Sequence, residues 1–235
     1  MVIYDCWSSM TLHRQTLAAL CPPLMVTTGR RERRKADIRS RLFRAALELF
    51  ALRGFTATTV EDVTRAADVA KGTFFNYFPT KEHLLTAFGE MRLDILRAAR
   101  SEVQLGKKPA REVLCRLLSA LAAEPWETRA MARCLLANGL GGEPVASLAA
   151  KTMAEARHIL SSIVTISQRR GEIRSDWSAD DIAGLFQQLF FGTMYRWTLD
   201  PHLKLTRCLG TAFALFWAGV EARPGQFKRP QKRSS

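Results

Sequence analysis

No apolar run of about 18 residues occurs in the 235-residue chain, so no helix is expected to span a bilayer. Cysteine is sparse and irregular. The five fall at 6, 21, 115, 134 and 208, with no CxxC pair. The histidines at 13, 83, 158 and 202 lie away from them, so no metal site is expected. An odd, scattered set points to reduced thiols in a cytoplasmic protein, with Cys115 and Cys134 as small core fillers. The chain also lacks a phosphate-cradling loop, a nucleophile elbow and a pair of catalytic carboxylates. Those gaps argue against an enzyme and leave no cofactor to expect.

The amino terminus lacks a secretory signal. Asp5, His13 and Arg14 interrupt it, and no compact apolar stretch leads to a small-residue cleavage site. Residues 1–27 are expected to be a disordered leader or an over-long start, with translation beginning at or near Met25.

Positive charge is plentiful. Lys and Arg total 35 against 22 Asp and Glu, a formal net charge of +13. Such an excess suits a polyanionic partner, and double-stranded DNA is the expected one. Hydrophobic residues make up 47 % of the chain, enough for a well-buried globular core.

The surplus is concentrated in Arg30 to Arg44, RRERRKADIRSRLFR, where eight basic residues face only Glu32 and Asp37. Ile38, Leu42, Ala45, Ala46, Leu49 and Phe50 then recur at helical spacing and predict one apolar face. Arg30 to Lys35 reads as a basic arm ahead of that helix, reaching into the minor groove or along phosphates, or else standing as a solvated tail. Gly54 suits the end of the helix, with Phe55 folding back on it.

The next stretch, TATTVEDVTRAADVAKG, carries capping-box spacing twice, at Thr58 with Glu61 and at Thr59 with Asp62. A helix of about two turns is expected from Val60, broken at Asp68. Another starts near Ala70 or Lys71 and ends at Pro79. Thr80 then starts a fourth helix running toward Val103. Two short helices joined by a tight turn are the plan of a helix-turn-helix.

The aromatic cluster Phe74-Phe75-Asn76-Tyr77-Phe78 fits that plan. Phe74 and Phe78, four apart, share a face with Val69 and read as core. Lys71, Gly72, Thr73, Phe75 and Asn76 point elsewhere, with Tyr77 partly so. Lysine binds guanine or phosphate, threonine reaches phosphate or a thymine methyl, and a ring presses on that methyl. Tyr77 and Lys81 are placed to hold phosphates.

Residues 45–85, AALELFALRGFTATTVEDVTRAADVAKGTFFNYFPTKEHLL, resemble the TetR family of bacterial transcriptional regulators. The resemblance rests on Gly54-Phe55, Thr58-Thr59-Val60, Ala66-Ala67 with Val69, Gly72-Thr73-Phe74, Tyr77-Phe78, and Lys81 with Leu84-Leu85. It implies an all-α chain, with a three-helix DNA-binding domain over 28–85 and a larger ligand-binding and dimerisation domain over 86–222. It also implies repression that a ligand releases. Residues matching Thr59, Lys71, Gly72, Thr73, Phe75, Asn76, Tyr77 and Lys81 lie at the DNA surface in the family. Four positions depart from its pattern. Asp68 stands where glycine is usual, Ala70 where serine often caps, Phe75 where tyrosine is usual, and His83 where an acid is common.

Beyond Pro109 the pattern stays helical, with helices expected at about 109–123, 126–138, 144–170, 179–199 and 202–221. The last two are apolar on most faces and suit a four-helix interface between two copies. A pocket for an apolar effector would draw on Trp126, Met131, Met153, His158, Phe186 and Phe190, each of which also reads as plain core. The end, residues 223–235, is expected to be a basic disordered tail. Two other functions fit the same residues: a regulator without a small-molecule ligand, and a charge-driven DNA-architectural protein.

Overall fold

The computed structural model describes residues 30–106, 108–123, 129–138 and 143–222, and the expected leader and basic tail lie outside them. Among the described residues there are nine α-helices and no strand. They are α1 (Arg30–Arg53), α2 (Val60–Ala66), α3 (Lys71–Phe75), α4 (Glu82–Leu105), α5 (Ala110–Ala122), α6 (Arg129–Asn138), α7 (Glu143–Arg169), α8 (Ala179–Leu199) and α9 (Leu205–Val220). No described helix is long and apolar enough to cross a membrane.

Two hydrophobic clusters organise the chain. The first joins Leu42, Ala46 and Phe50 of α1, Val63 of α2, Phe74 and Phe78 around α3, and Leu84 of α4. The second is built from α4 to α9, with Leu93, Leu118, Ile163, Phe186, Met194 and Phe213 among its buried members. Helix α4 serves both, with its first turn in one and its later turns in the other. Its Gly89 lies so close to α7 that a Cβ there would stand 2.9 Å from Thr152 Oγ1.

A second link runs through α6, which packs against α1. At its start, the Arg129 guanidinium donates to the carbonyls of Trp197 (3.1 Å), Pro201 (3.0 Å) and Leu203 (2.7 Å) and stacks over the Trp197 ring. A cation at these carbonyls satisfies the orphan acceptors where α8 ends.

Two expectations need correction. Arg30 to Lys35 is no arm ahead of the first helix but its opening turns. Arginine and lysine are good helix formers. Helix α3 is also shorter than expected and stops at Phe75. Tyr77 N–H and Phe78 N–H still donate to the Phe74 carbonyl, which closes the turn toward Pro79.

Candidate nucleic-acid interface

The geometry starts at the α1–α2 connection. Gly54 takes φ +82°, the left-handed region that glycine enters at no steric cost. Thr58 is fully buried, and its hydroxyl donates to the Gly54 carbonyl at 2.8 Å. Of the two candidate capping boxes, the structure forms the one at Thr59. Asp62 N–H donates to Thr59 Oγ1 at 3.2 Å, and Thr59 N–H donates to Asp62 Oδ2 at 3.1 Å. Thr59 Oγ1 also donates to Asp62 Oδ2 at 2.8 Å, and this bond, followed by the one from Thr59 N–H, holds the Asp62 carboxyl below the usual carboxylate range. The burial of Thr58 explains why the alternative box at Thr58 and Glu61 is not used.

The turn between α2 and α3 accommodates its departure from glycine. Asp68 sits at φ +52°, a region aspartate tolerates better than most side chains. Arg41 of α1 braces it, donating to the carbonyls of Ala67 (2.5 Å) and Asp68 (3.1 Å). Ala70, at the position of a cap, supplies no side-chain bond to α3.

The rings of the aromatic cluster are divided as their spacing predicts. Phe74 and Phe78 are buried, with ring centroids 5.7 Å apart. Phe75 is 48 % exposed, touching Phe74 edge-on. Lys71, Gly72 and Asn76 are exposed beside it, and Thr73 is half-buried. Gly72 has open space where a Cβ would stand, so a backbone could come close there. Tyr77 is half-buried and packs its ring against the first cluster. Thr59, at the start of α2, is exposed.

Two lysines are engaged within the protein. Lys71 pairs with Glu61, and that hydrogen bond lowers the Glu61 pKa. Lys81 Nζ donates to the Phe55 and Thr58 carbonyls. At the start of α4, Thr80 Oγ1 and His83 Nδ1 are hydrogen-bonded at 3.0 Å, so the histidine occupies the place of the usual acid. Sequence reasoning missed Arg41 and Glu61. Their partners lie ten or more positions away, so no local spacing could signal either one.

Of the six effector candidates, the side chains of four are described. Trp126 lies outside the described residues, as does the side chain of Met131 on α6. Phe186 and Phe190 of α8 are closed into the second cluster. Met153 of α7 is half-buried, and its carbonyl accepts from Gln187 Nε2 at 3.1 Å. His158 is exposed and lines no interior space, because Ile159, Leu160 and Ile163 take the inner face of α7. A small crevice instead lies between α4 and α5, lined by Ile95, Ala99, Val113 and Leu117 beside the Glu102–Arg116 ion pair.

An all-helical chain with a helix-turn-helix whose outer face carries lysine, amide and ring groups is a DNA-binding regulator by class. Known proteins agree. Residues 42–88 match the family described as bacterial regulatory proteins of the tetR family. A Mycobacterium tuberculosis protein named for transcriptional regulation of mycofactocin biosynthesis is 26 % identical over 195 residues, which are 80 % of this chain and 94 % of that protein. FadR from Thermus thermophilus, a TetR family transcriptional repressor solved in complex with lauroyl-CoA, is 29 % identical with a TM-score of 0.55. That match covers 82 % of this chain and all of FadR. FadR from Bacillus subtilis, solved with stearoyl-CoA, shares the fold at a TM-score of 0.65 and 20 % identity over 77 % of this chain and 99 % of that one. The DNA-binding domain, residues 42–88, belongs to the TetR family of bacterial transcriptional regulators, and the rest of the chain shares the fold of solved members of that family.

Proposed function

We propose that the protein is a cytoplasmic homodimeric repressor that binds a near-palindromic operator and leaves it when a small molecule with an apolar body binds among the helices of residues 86–222. The observation that carries the reading is the division of the aromatic cluster. Phe74 and Phe78 anchor α3, while Gly72, Thr73, Phe75, Asn76 and the edge of Tyr77 are left for the major groove, Lys71 joins them by exchanging its exposed pair with Glu61 for DNA, and Thr59 lies toward the phosphates.

The dimer has its own support. On α8, Leu185, Gln188, Gly192, Tyr195 and Leu199 form one exposed stripe at helical spacing. On α9, Thr211, Leu215, Ala218 and Gly219 form another. Large apolar residues set among small ones suit close helix packing against a second copy. A twofold axis there would set two reading heads about 34 Å apart, one turn of DNA.

The release step draws on both FadR proteins, whose solved ligands are acyl-CoAs. Here α4 runs unbroken from the reading head into the second cluster, so a ligand that spreads these helices moves the head. Phe186 and Phe190 fill the core in the present state. Ligand entry beside them and Met153 therefore selects another arrangement, a shift of population between two states.

Fluorescence anisotropy over a range of salt tests the reading, using DNA from upstream of the protein's own coding region and a scrambled duplex. The expected result is selective binding that weakens steeply with salt and is released by lauroyl-CoA. Equal affinity for both duplexes, with no winner selected from random DNA, would sink the operator. A monomer by light scattering at micromolar concentration would sink the dimer.

A further inference from the structure

Lys81 corresponds to a position that lies at DNA in the family, yet its ammonium is occupied inside the protein. Nζ donates to the Phe55 carbonyl at 2.7 Å and the Thr58 carbonyl at 2.9 Å. It also lies 4.3 Å from the centroid of the Phe55 ring. Two carbonyls and a ring face take up most of what one ammonium offers. A phosphate would have to displace charge-assisted bonds that are already made.

We propose that Lys81 is a positioning residue, not a phosphate ligand: it fastens the start of α4 to the α1–α2 connection and so sets how α2 and α3 are presented to DNA. The connection depends on it. Residues 54–59 lie between helices, where the Gly54 carbonyl is served by the Thr58 hydroxyl and the Phe55 carbonyl by Thr58 N–H at 3.3 Å, and the Phe55 and Thr58 carbonyls also take a donor from outside the connection. Lys81 provides it one residue before Thr59, the cap of α2. Two turns further along, α4 packs on α7 through Gly89. A movement of α4 within the regulatory cluster is therefore passed through Lys81 to the cap of α2. The assignment rests on the DNA-binding reading above.

Lysine is specific for this role. A compact ammonium fits between two carbonyls and a ring, whereas a planar guanidinium keeps the charge but not the fit. Arginine would still bind phosphate, which separates the two roles.

The test uses the full chain and an operator duplex selected from random DNA by the wild-type protein. Lys81→Met, Lys81→Arg and Phe55→Leu are compared by anisotropy over salt and by thermal unfolding. For Lys81→Met we expect selective affinity about tenfold weaker and a Tm lower by about 4 °C. Its salt slope should match that of the wild type, and Lys81→Arg should share the defect. Lys81→Met and Phe55→Leu combined should lower Tm by less than the two separately, because they remove the same contact. A salt slope shallower by about 0.9 in Lys81→Met, with wild-type Tm and full retention in Lys81→Arg, would overturn the assignment. A wild-type chain that selects no duplex would instead remove the DNA-binding reading, while the melting comparison would still decide whether Lys81 is a tether.

Discussion

The two halves of the molecule manage their surfaces in opposite ways. Around α1 to α3, polar side chains are tied back to the backbone. Thr58 bonds Gly54, Thr59 and Asp62 cap α2, Arg41 braces the turn, and Lys81 closes the connection. The outward groups that remain belong to short, rigid elements. Around α8 and α9, the exposed face is apolar instead, with Leu199 and Leu215 among its largest groups. A reading head must hold a few polar groups in place while staying in water. An interface between copies needs area and close approach, and it gets its order only when the second copy arrives. The difference teaches that the first half satisfies its polar groups within one chain, whereas the second keeps an exposed apolar face that the proposed second copy would cover.

The sharpest way to break this contrast is to charge the apolar face. Leu215 is 71 % exposed on α9, so Leu215→Glu should fold with little change in monomer stability. Placed against a second copy, the carboxylate would have to be buried unpaired, which is prohibitive. The variant should therefore be monomeric by light scattering. Its selective DNA affinity should fall by about a hundredfold or more, since two linked heads gain from effective concentration. A variant that stays dimeric would move the interface away from this face.

The same contrast decides what could be read from the sequence. The reading head was legible because its determinants are local: a periodic apolar face, a cap three residues from its acid, and buried rings four apart. Helix α8 was placed at its observed bounds, and the structure shows its start held by Ser178 Oγ, which accepts from Asp181 N–H. The effector pocket was not legible. Its candidates were chosen by type, and whether Phe186 fills a core or His158 faces water depends on which face of each helix meets a neighbour. The opening turns of α1 were misread because charge density was weighed ahead of helix propensity. Lys81 was assigned from its charge and placement and from the family pattern, neither of which carries information about the Phe55 and Thr58 carbonyls.

A smaller perturbation tests whether the reading head is tied together as described. Thr59→Ala removes the side-chain acceptor at the start of α2 and should cost about 1 kcal/mol, or about 2–4 °C in Tm. The effect should also depend on pH. Asp62, the other half of the box, has its pKa lowered by Thr59 from an ordinary value of 3.8. A carboxyl with a depressed folded pKa contributes its stability above the unfolded value, and loses it as pH falls through the folded one. The gap between wild type and Thr59→Ala should therefore be full at neutral pH and narrow below 3.8. A gap constant down to strong acid would mean that Asp62 and Thr59 do not act as a pair.

The smallest effect is expected where the chain departs from the family in the turn itself. Asp68→Gly relieves left-handed strain but gives the unfolded chain more freedom, and each effect is about 1 kcal/mol or less for this residue type. The exposed carboxylate also gives up its 3.6 Å contact with Arg41, a pair worth little in water. The backbone bonds from Arg41 to the Ala67 and Asp68 carbonyls need no side chain at 68 and should persist. The variant should therefore unfold within about 0.5 kcal/mol of wild type. Asp68→Ala keeps a Cβ at positive φ without the polar group that tolerates it, and should lose about 1 kcal/mol. Denaturant titration of the three proteins gives the order directly. If alanine matched glycine, the strain at φ +52° would be negligible, and the brace from Arg41 alone would account for the turn.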